Sequence, residues 1–208
     1  MRRNAAILIE QWFTRYRQDG EFLYEGTSSA YTVVGPSKLP GRIVFATKPH
    51  IAAAAIEEFR ENAPNSACAK IGLIGRYGLP CRFDMAWIRD VVAKHELFFL
   101  GDLDPVDLMI FVWLRARLHP KRIEHLGIND DYLHQTRVRL PDSFIMRCSQ
   151  SERKALPVLR KAFPILSETL GPDCTRILEQ GQKIELDAVA SALETFSPIL
   201  SPLIRSRK

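Results

Sequence analysis

The feature that most constrains this chain is an alternation of short and long apolar segments between residues 42 and 127. The short runs are 42–46, 69–74, 97–100 and 123–127, and between them lie longer segments at 50–61, 83–94 and 106–118. In 83–94 the apolar residues Met85, Trp87, Ile88, Val91 and Val92 gather on one side of a 3.6-residue period, the pattern of an amphipathic helix. Strand–helix alternation of this length builds βαβ units, which force a parallel sheet, right-handed crossovers and helices on both faces. The expected core, residues 41–135, is therefore an α/β domain with a four-stranded parallel sheet flanked by helices. Such sheets bind ligands beyond the carboxyl ends of their strands.

The flanks read differently. Residues 4–17 place Ile7, Leu8, Trp12 and Tyr16 at helical spacing, and 22–34 is short and β-tolerant, so residues 1–40 form a small helical and β head. Residues 136–208 form a helical extension, with helices expected at 151–163, 165–170 and 184–196. Pro157 is expected to split the first, and order to end at the Pro-rich stretch 197–202.

Composition excludes several classes. At 208 residues the chain has room for one core with an appendage, and 46% hydrophobic and 25% charged residues are ordinary for a soluble globular protein. No apolar stretch reaches the roughly 18–20 residues of a membrane span. Glu10 interrupts the only signal-like run after Ala5-Ala6-Ile7-Leu8-Ile9, so a cytoplasmic location is expected. Cys68, Cys81, Cys148 and Cys174 lie far apart, and the five histidines form no metal-ligand pair, which argues against a zinc hydrolase.

Where the third short run ends, the chain reads Gly101-Asp102-Leu103-Asp104-Pro105. Extended residues alternate sides, so Asp102 and Asp104 point the same way. Paired carboxylates repel unless a cation or proton lies between them, and Mg²⁺ is held by one or two carboxylates plus water and phosphate. Helix capping competes with this reading: Asp104 suits the N-cap, Pro105 the first helical position, and Asp107 the first turn, where an acid favours the helix dipole. Capping leaves Asp102 unexplained.

The net charge of +5 is compatible with nucleic acid without specifying it. Basic residues concentrate at Arg137, Arg139, Arg147, Arg153, Lys154, Arg160 and Lys161, and again at Arg205-Ser206-Arg207-Lys208. This is either a solvated face or a phosphate-contacting one.

The aspartate motif within a parallel α/β sheet resembles Toprim domains, in the branch that holds the DNA-cleaving subunit of DNA topoisomerase VI, its meiotic double-strand-break relatives and the nuclease subunit of Wadjet plasmid-defence systems. Gly101-Asp102-Leu103-Asp104-Pro105 with Ile110 resembles the branch's G-D-x-D-P-x-G-x-x-I, although Asp107 replaces the usual Gly. Residues 123–128 resemble the strand that follows, 71–80 loosely resemble a G-x-G-Y-P segment, and 176–185 resemble a late helix. The resemblance spans about 42–196, and only the aspartate stretch is specific.

The resemblance implies Asp102 and Asp104 as catalytic residues, Asp102, Asp104 and Asp107 as ligands of Mg²⁺ or Mn²⁺, and DNA as substrate. It implies Arg137, Arg139, Arg153, Lys154, Arg160 and Lys161 as DNA contacts, and an SMC-like or GHKL-type ATPase as partner subunit. Two departures matter. Family members end the first strand of the sheet with a Glu, and Thr47 falls at that place, followed by Lys48. Topoisomerase-type members also cut with a tyrosine on a preceding winged-helix domain, and here only Tyr16, Tyr24 and Tyr31 precede the sheet. The chain is thus expected to be either a metal-dependent nuclease acting through activated water or a non-enzymatic DNA-binding or assembly subunit. A response-regulator-like domain fits less well, because its acids cluster after the first strand.

Overall fold

The computed structural model describes residues 2–18, 32–34, 41–62, 71–76, 78–80, 84–93, 95–118, 123–138, 141–200 and 203. Its centre is the α/β sheet that the alternation predicts. Strands β2 (Arg42–Ala46), β3 (Ile71–Gly75), β4 (Glu96–Leu100) and β5 (Ile123–His125) are all parallel, in the order β3-β2-β4-β5. A fifth strand, β1 (Thr32–Val34), adds antiparallel to the outer edge of β3, so part of the N-terminal segment is built into the sheet. All five residues of β2 and of β3 are buried, as strands covered on both faces must be. Phe45 of β2 and Phe99 of β4 are fully buried and stack at 6.1 Å, each burial contributing about 1.5–3 kcal/mol.

The first crossover, through α2 (Pro49–Asn62), runs from β2 to one neighbour. The third, through α4 (Pro105–Arg117), runs from β4 away in the other direction. The strand order therefore reverses between β2 and β4, and right-handedness puts α2 and α4 on opposite faces. Helix α1 (Arg2–Gln18) packs on α4 and on α6 (Gln150–Ala162), together with α3 (Asp84–Val92), whose Met85 and Arg89 share a recess with Glu10 and Trp113. Glu10 ties this face together by accepting from Trp113 Nε1 at 2.8 Å and from Arg117.

The extension departs from expectation in three places. Helix α6 is continuous through Pro157. Pro157 and Arg153 are both exposed, so the carbonyl that loses its amide partner faces water. The helix expected over 184–196 is shorter: α8 (Pro172–Glu179) is followed by strand β7 (Gln182–Ile184), and only then by α9 (Leu186–Ser191). Strand β7 pairs antiparallel with β6 (Ile145–Arg147). The Pro-rich tail forms a 3₁₀ turn, Ser197–Leu200, and Ile199, Leu200 and Leu203 are buried, the turn lying against α2. Glu58 anchors it by accepting from the amides of Phe196 and Ser197. Helices α5 (Asp130–Thr136) and α7 (Leu166–Leu170) complete the extension. Asp130 joins α5 to α8 by accepting from the amides of Asp173 at 2.9 Å and Cys174 at 2.8 Å.

No helix among the described residues is long and apolar enough to cross a membrane. Cys148 and Cys174 are free and buried, while Cys68 and Cys81 lie outside the described residues.

Candidate metal centre

The point where the strand order reverses is where open α/β sheets leave a crevice. Here it is lined by the segments that follow β2 and β4. Leu100 O accepts from Thr47 N at 3.1 Å, so the two strand ends are level and the side chains beyond them meet. Asp102, Asp104 and Asp107 are all buried, and one oxygen from each lies within 4.8 Å of the others.

Backbone geometry explains why. Leu103 bridges antiparallel to Ile184, its amide donating to Ile184 O at 2.9 Å and its carbonyl accepting from Ile184 N at 3.2 Å. The segment is thus extended, Leu103 turns into the core, and its two aspartate neighbours turn together to the other side. Asp104 caps α4, Oδ1 accepting from Val106 N at 2.6 Å and Asp107 N at 2.9 Å. Asp107 Oδ2 accepts from Asp102 N at 2.8 Å and from the Thr47 hydroxyl. Asp102 Oδ1 accepts from Leu186 N at 2.7 Å. Capping and ligation therefore do not compete: for each aspartate one oxygen is taken by amide or hydroxyl donors and the other stays outside those bonds.

Gly101 is required at the floor. A Cβ there would stand 2.6 Å from Asp107 Oδ2, 2.8 Å from Thr47 Oγ1 and 2.9 Å from Phe99. Gly127 is its counterpart on the next loop, where a Cβ would come within 2.8 Å of Gly101 O.

The charge balance is negative. Burial, and then the neighbouring Asp102, push the Asp104 carboxyl up to about 7. Burial, with Asp104 and Asp102, raises Asp107 well above the usual carboxylate range, and burial raises Asp102 despite its bonds to Leu186 N and Lys48. Partial neutralisation comes from Lys48, whose Nζ lies 3.4 Å from Asp102, 2.7 Å from Asp187 and 3.7 Å from Glu185. Burial works against the Lys48 charge, but the bond to Asp187 and the surrounding carboxylates outweigh it and hold its pKa above the ordinary lysine range. Lys183 lies behind, paired with Glu152 at 2.8 Å and Glu185 at 3.0 Å. Burial opposes the Glu152 charge, yet Lys183 and the capping contact with Ser149 keep its carboxyl below the usual range.

Sequence reasoning placed the three aspartates and Thr47 here. Thr47 is buried and supplies a hydroxyl to Asp107 where the resemblance expects a Glu. Glu57, Glu58 and Glu96 do not substitute: Glu57 is exposed, Glu58 holds the C-terminal turn, and Glu96 pairs with Arg42 at 3.4 Å. The acids that do approach, Glu152, Glu185 and Asp187, come from the extension. Their only signals were the Ser149–Glu152 capping box and the alternation of Lys183, Ile184 and Glu185.

Of the basic residues expected to contact DNA, Arg153, Lys154, Arg160 and Lys161 lie on α6 and Arg137 follows α5. Arg137 is exposed and caps α5 with positive φ, Arg153 and Lys154 are exposed at the start of α6, and Arg160 pairs with Glu179 at 3.2 Å. Lys161 borders an apolar groove between α1, α4 and α6. Arg139, Tyr24, Tyr31 and residues 205–208 lie outside the described residues, and so does the side chain of Tyr16.

Fold and site together define a doubly wound α/β protein with a buried tri-aspartate centre at its switch point, able to hold a metal ion. No protein-family model matches the chain, and no curated protein is significantly similar to it.

Proposed function

We propose that this chain is a Toprim-type DNA-processing protein similar to the DNA-cleaving subunit of topoisomerase VI, dependent on Mg²⁺ or Mn²⁺ held by Asp102, Asp104 and Asp107. The observation that carries this reading is the convergence of three buried carboxylates at the switch point, Asp104 and Asp107 each with one oxygen outside its hydrogen bonds and Asp102 with its second oxygen toward Lys48. The donor set suits the ion: hard carboxylate oxygens, no thiolate or imidazole among them, at a separation that a small contraction brings to Mg²⁺ coordination. An ion bound there supplies Lewis acidity toward a phosphate oxygen. The chain's own residues do the positioning. Thr47 and the Asp102 amide orient Asp107, the first turn of α4 orients Asp104, and Leu186 N orients Asp102. Lys48 keeps a positive charge beside the centre that partly offsets the carboxylates of Asp102, Glu185 and Asp187. The protein would act in the cytoplasm within a complex, together with an SMC-like or GHKL-type ATPase.

A second reading has its own observation. Thr47 brings no charge, and Lys48 already neutralises Asp102, so the centre holds fewer free carboxylates than the resemblance implies. On that reading the chain is a non-cleaving DNA-binding or assembly subunit. Supercoiled-plasmid nicking with Mn²⁺, using wild type, Thr47→Glu and Thr47→Glu/Asp102→Ala, separates the two. Nicking by the wild type, or nicking gained with Thr47→Glu and lost again with Asp102→Ala, supports the metal-dependent nuclease. No nicking by any of them, with Mn²⁺ bound by the wild type, leaves the assembly subunit.

A further inference from the structure

The two lysines nearest the acid centre are consumed by carboxylates, whereas a pair of arginines beside it is not. Arg147, at the end of β6, and Arg153, in the first turns of α6, line a recess of about 390 Å³ together with Gln180, Gly181 and Gln182. Both arginines are exposed. Each carboxylate of this neighbourhood is engaged elsewhere: Glu152 with Lys183 and the Ser149 amide, Glu185 with Lys183 and Lys48, Glu179 with Arg160. Among the described residues neither Arg147 nor Arg153 has a carboxylate within ion-pair distance. Gly181 keeps the recess open. Its φ is +70°, and the nearest atom to a Cβ there would be Arg153 Cδ at 3.5 Å, so the arginine stem lies along the glycine with its guanidinium beyond.

The recess is tied to the acid centre by one strand. Gln182 pairs with Arg147, and two residues further along β7 Ile184 bridges to Leu103, between Asp102 and Asp104. Two strand residues span about 7 Å. Two guanidinium forks, which only donate, and two glutamine amides, whose NH₂ groups can donate, thus line a recess one short step from a negative centre.

We propose that this recess is an anion site in which Arg147 and Arg153 hold a phosphate group, that of a nucleic-acid strand adjoining the one at the acid centre. The strand part of this inference rests on the function proposed above, and the phosphate part does not.

The test uses the metal-free full chain. Amide chemical shifts of Gly181 and Gln182 are followed on titration with sodium phosphate and, separately, with a single-stranded oligodeoxynucleotide, and oligonucleotide affinity is measured across a salt series. Both ligands should shift these amides. Arg147→Gln/Arg153→Gln should weaken oligonucleotide binding about tenfold or more and lower the salt slope by roughly 1.4, about 0.7 for each lost single-strand phosphate contact. Arg176→Gln, which removes an exposed arginine ion-paired with Asp173, should change neither. Arg147→Lys/Arg153→Lys should recover the salt slope, which a folding defect would not. Undiminished binding of both ligands by Arg147→Gln/Arg153→Gln overturns the proposal. Response to phosphate alone overturns the strand and reassigns the recess to a free phosphate or mononucleotide. Asp104→Asn, which removes one of the three carboxylates of the metal centre, should leave metal-free oligonucleotide binding at the recess intact, so the two sites fail separately.

Discussion

Asp104 and His125 stand at the carboxyl ends of adjacent strands, Asp104 buried and His125 half-buried with both ring nitrogens shut away from water, yet their surroundings differ in kind. Burial drives each toward its neutral form, Asp104 up to about 7 and His125 down to about 4. For His125 burial is the cause, with no charged neighbour beside it among the described residues. Its ring stacks on Phe99 at 6.2 Å and meets Phe111 edge-on at 5.0 Å, and neither ring nitrogen has a hydrogen-bond partner among the described residues. Asp104 is held by two amides and faces Asp102, a charge of its own sign. A core tolerates a lone ionisable group by keeping it neutral. It gathers like charges on purpose-built hydrogen bonds only where something else supplies the balancing charge.

The largest effect that could break this contrast is on metal affinity. Asp104→Asn should lower Mn²⁺ affinity in calorimetric titration by about a hundredfold or more, since outer-shell changes alone cost 10–100-fold. It should leave the fold intact, because Asn is an equally good N-cap. His125→Phe should leave Mn²⁺ affinity unchanged. Equal losses in both variants would mean that the two regions are alike.

Gly101→Ala comes next. With a Cβ forced to within 2.6–2.9 Å of Asp107, Thr47 and Phe99, overpacking should cost about 1–3 kcal/mol in urea unfolding and weaken Mn²⁺ binding as well.

The pH dependence of metal-free stability should show the two groups pulling in opposite directions. Between 3.8 and about 7 the folded state holds a proton on Asp104 that the unfolded chain has lost, so stability falls as pH rises through that window. For His125 the unfolded chain holds the extra proton between about 4 and 6.5, so stability is complete above 6.5 and is lost as pH falls toward 4. Thermal midpoints should therefore rise as pH drops from 8 to 6.5, where Asp104 acts alone of the two, and Asp104→Asn should shrink that rise. Below 6.5 the histidine opposes it, and His125→Phe should extend the rise to lower pH.

The smallest expected effect is His125→Phe at neutral pH. Replacing a ring whose two buried nitrogens are unpartnered among the described residues by an apolar one should be neutral or stabilise by about 1 kcal/mol.

Local patterns were legible where one period or one motif decides the outcome. The strands and helices from β2 to β5 follow from hydrophobic runs, and Asp102 and Asp104 from a motif at a strand end. Asp107 was legible as a first-turn acid, but its bond to Thr47 was not, because it joins residues 60 apart. The clamp of β7 on Leu103 was illegible for the same reason: Leu103 and Ile184 are ordinary apolar residues, and only tertiary pairing makes them neighbours. Pro157 misled because a helix breaker was weighed without knowing that the freed carbonyl faces water. The tail misled because Ile199, Leu200 and Leu203 were hidden among prolines and serines, although they pack as core.

The central claim, that the like charges of the acid loop are there to hold a divalent cation, is tested most directly by anomalous scattering. Crystals grown at about pH 8, above the Asp104 pKa of about 7, with MnCl₂ should be measured at the manganese edge. The account predicts a peak between the carboxylates of Asp102, Asp104 and Asp107, at roughly 2.0–2.3 Å from at least two of their oxygens. An acid loop with no peak, while manganese decorates exposed acids such as Asp173 or Glu179, would contradict it.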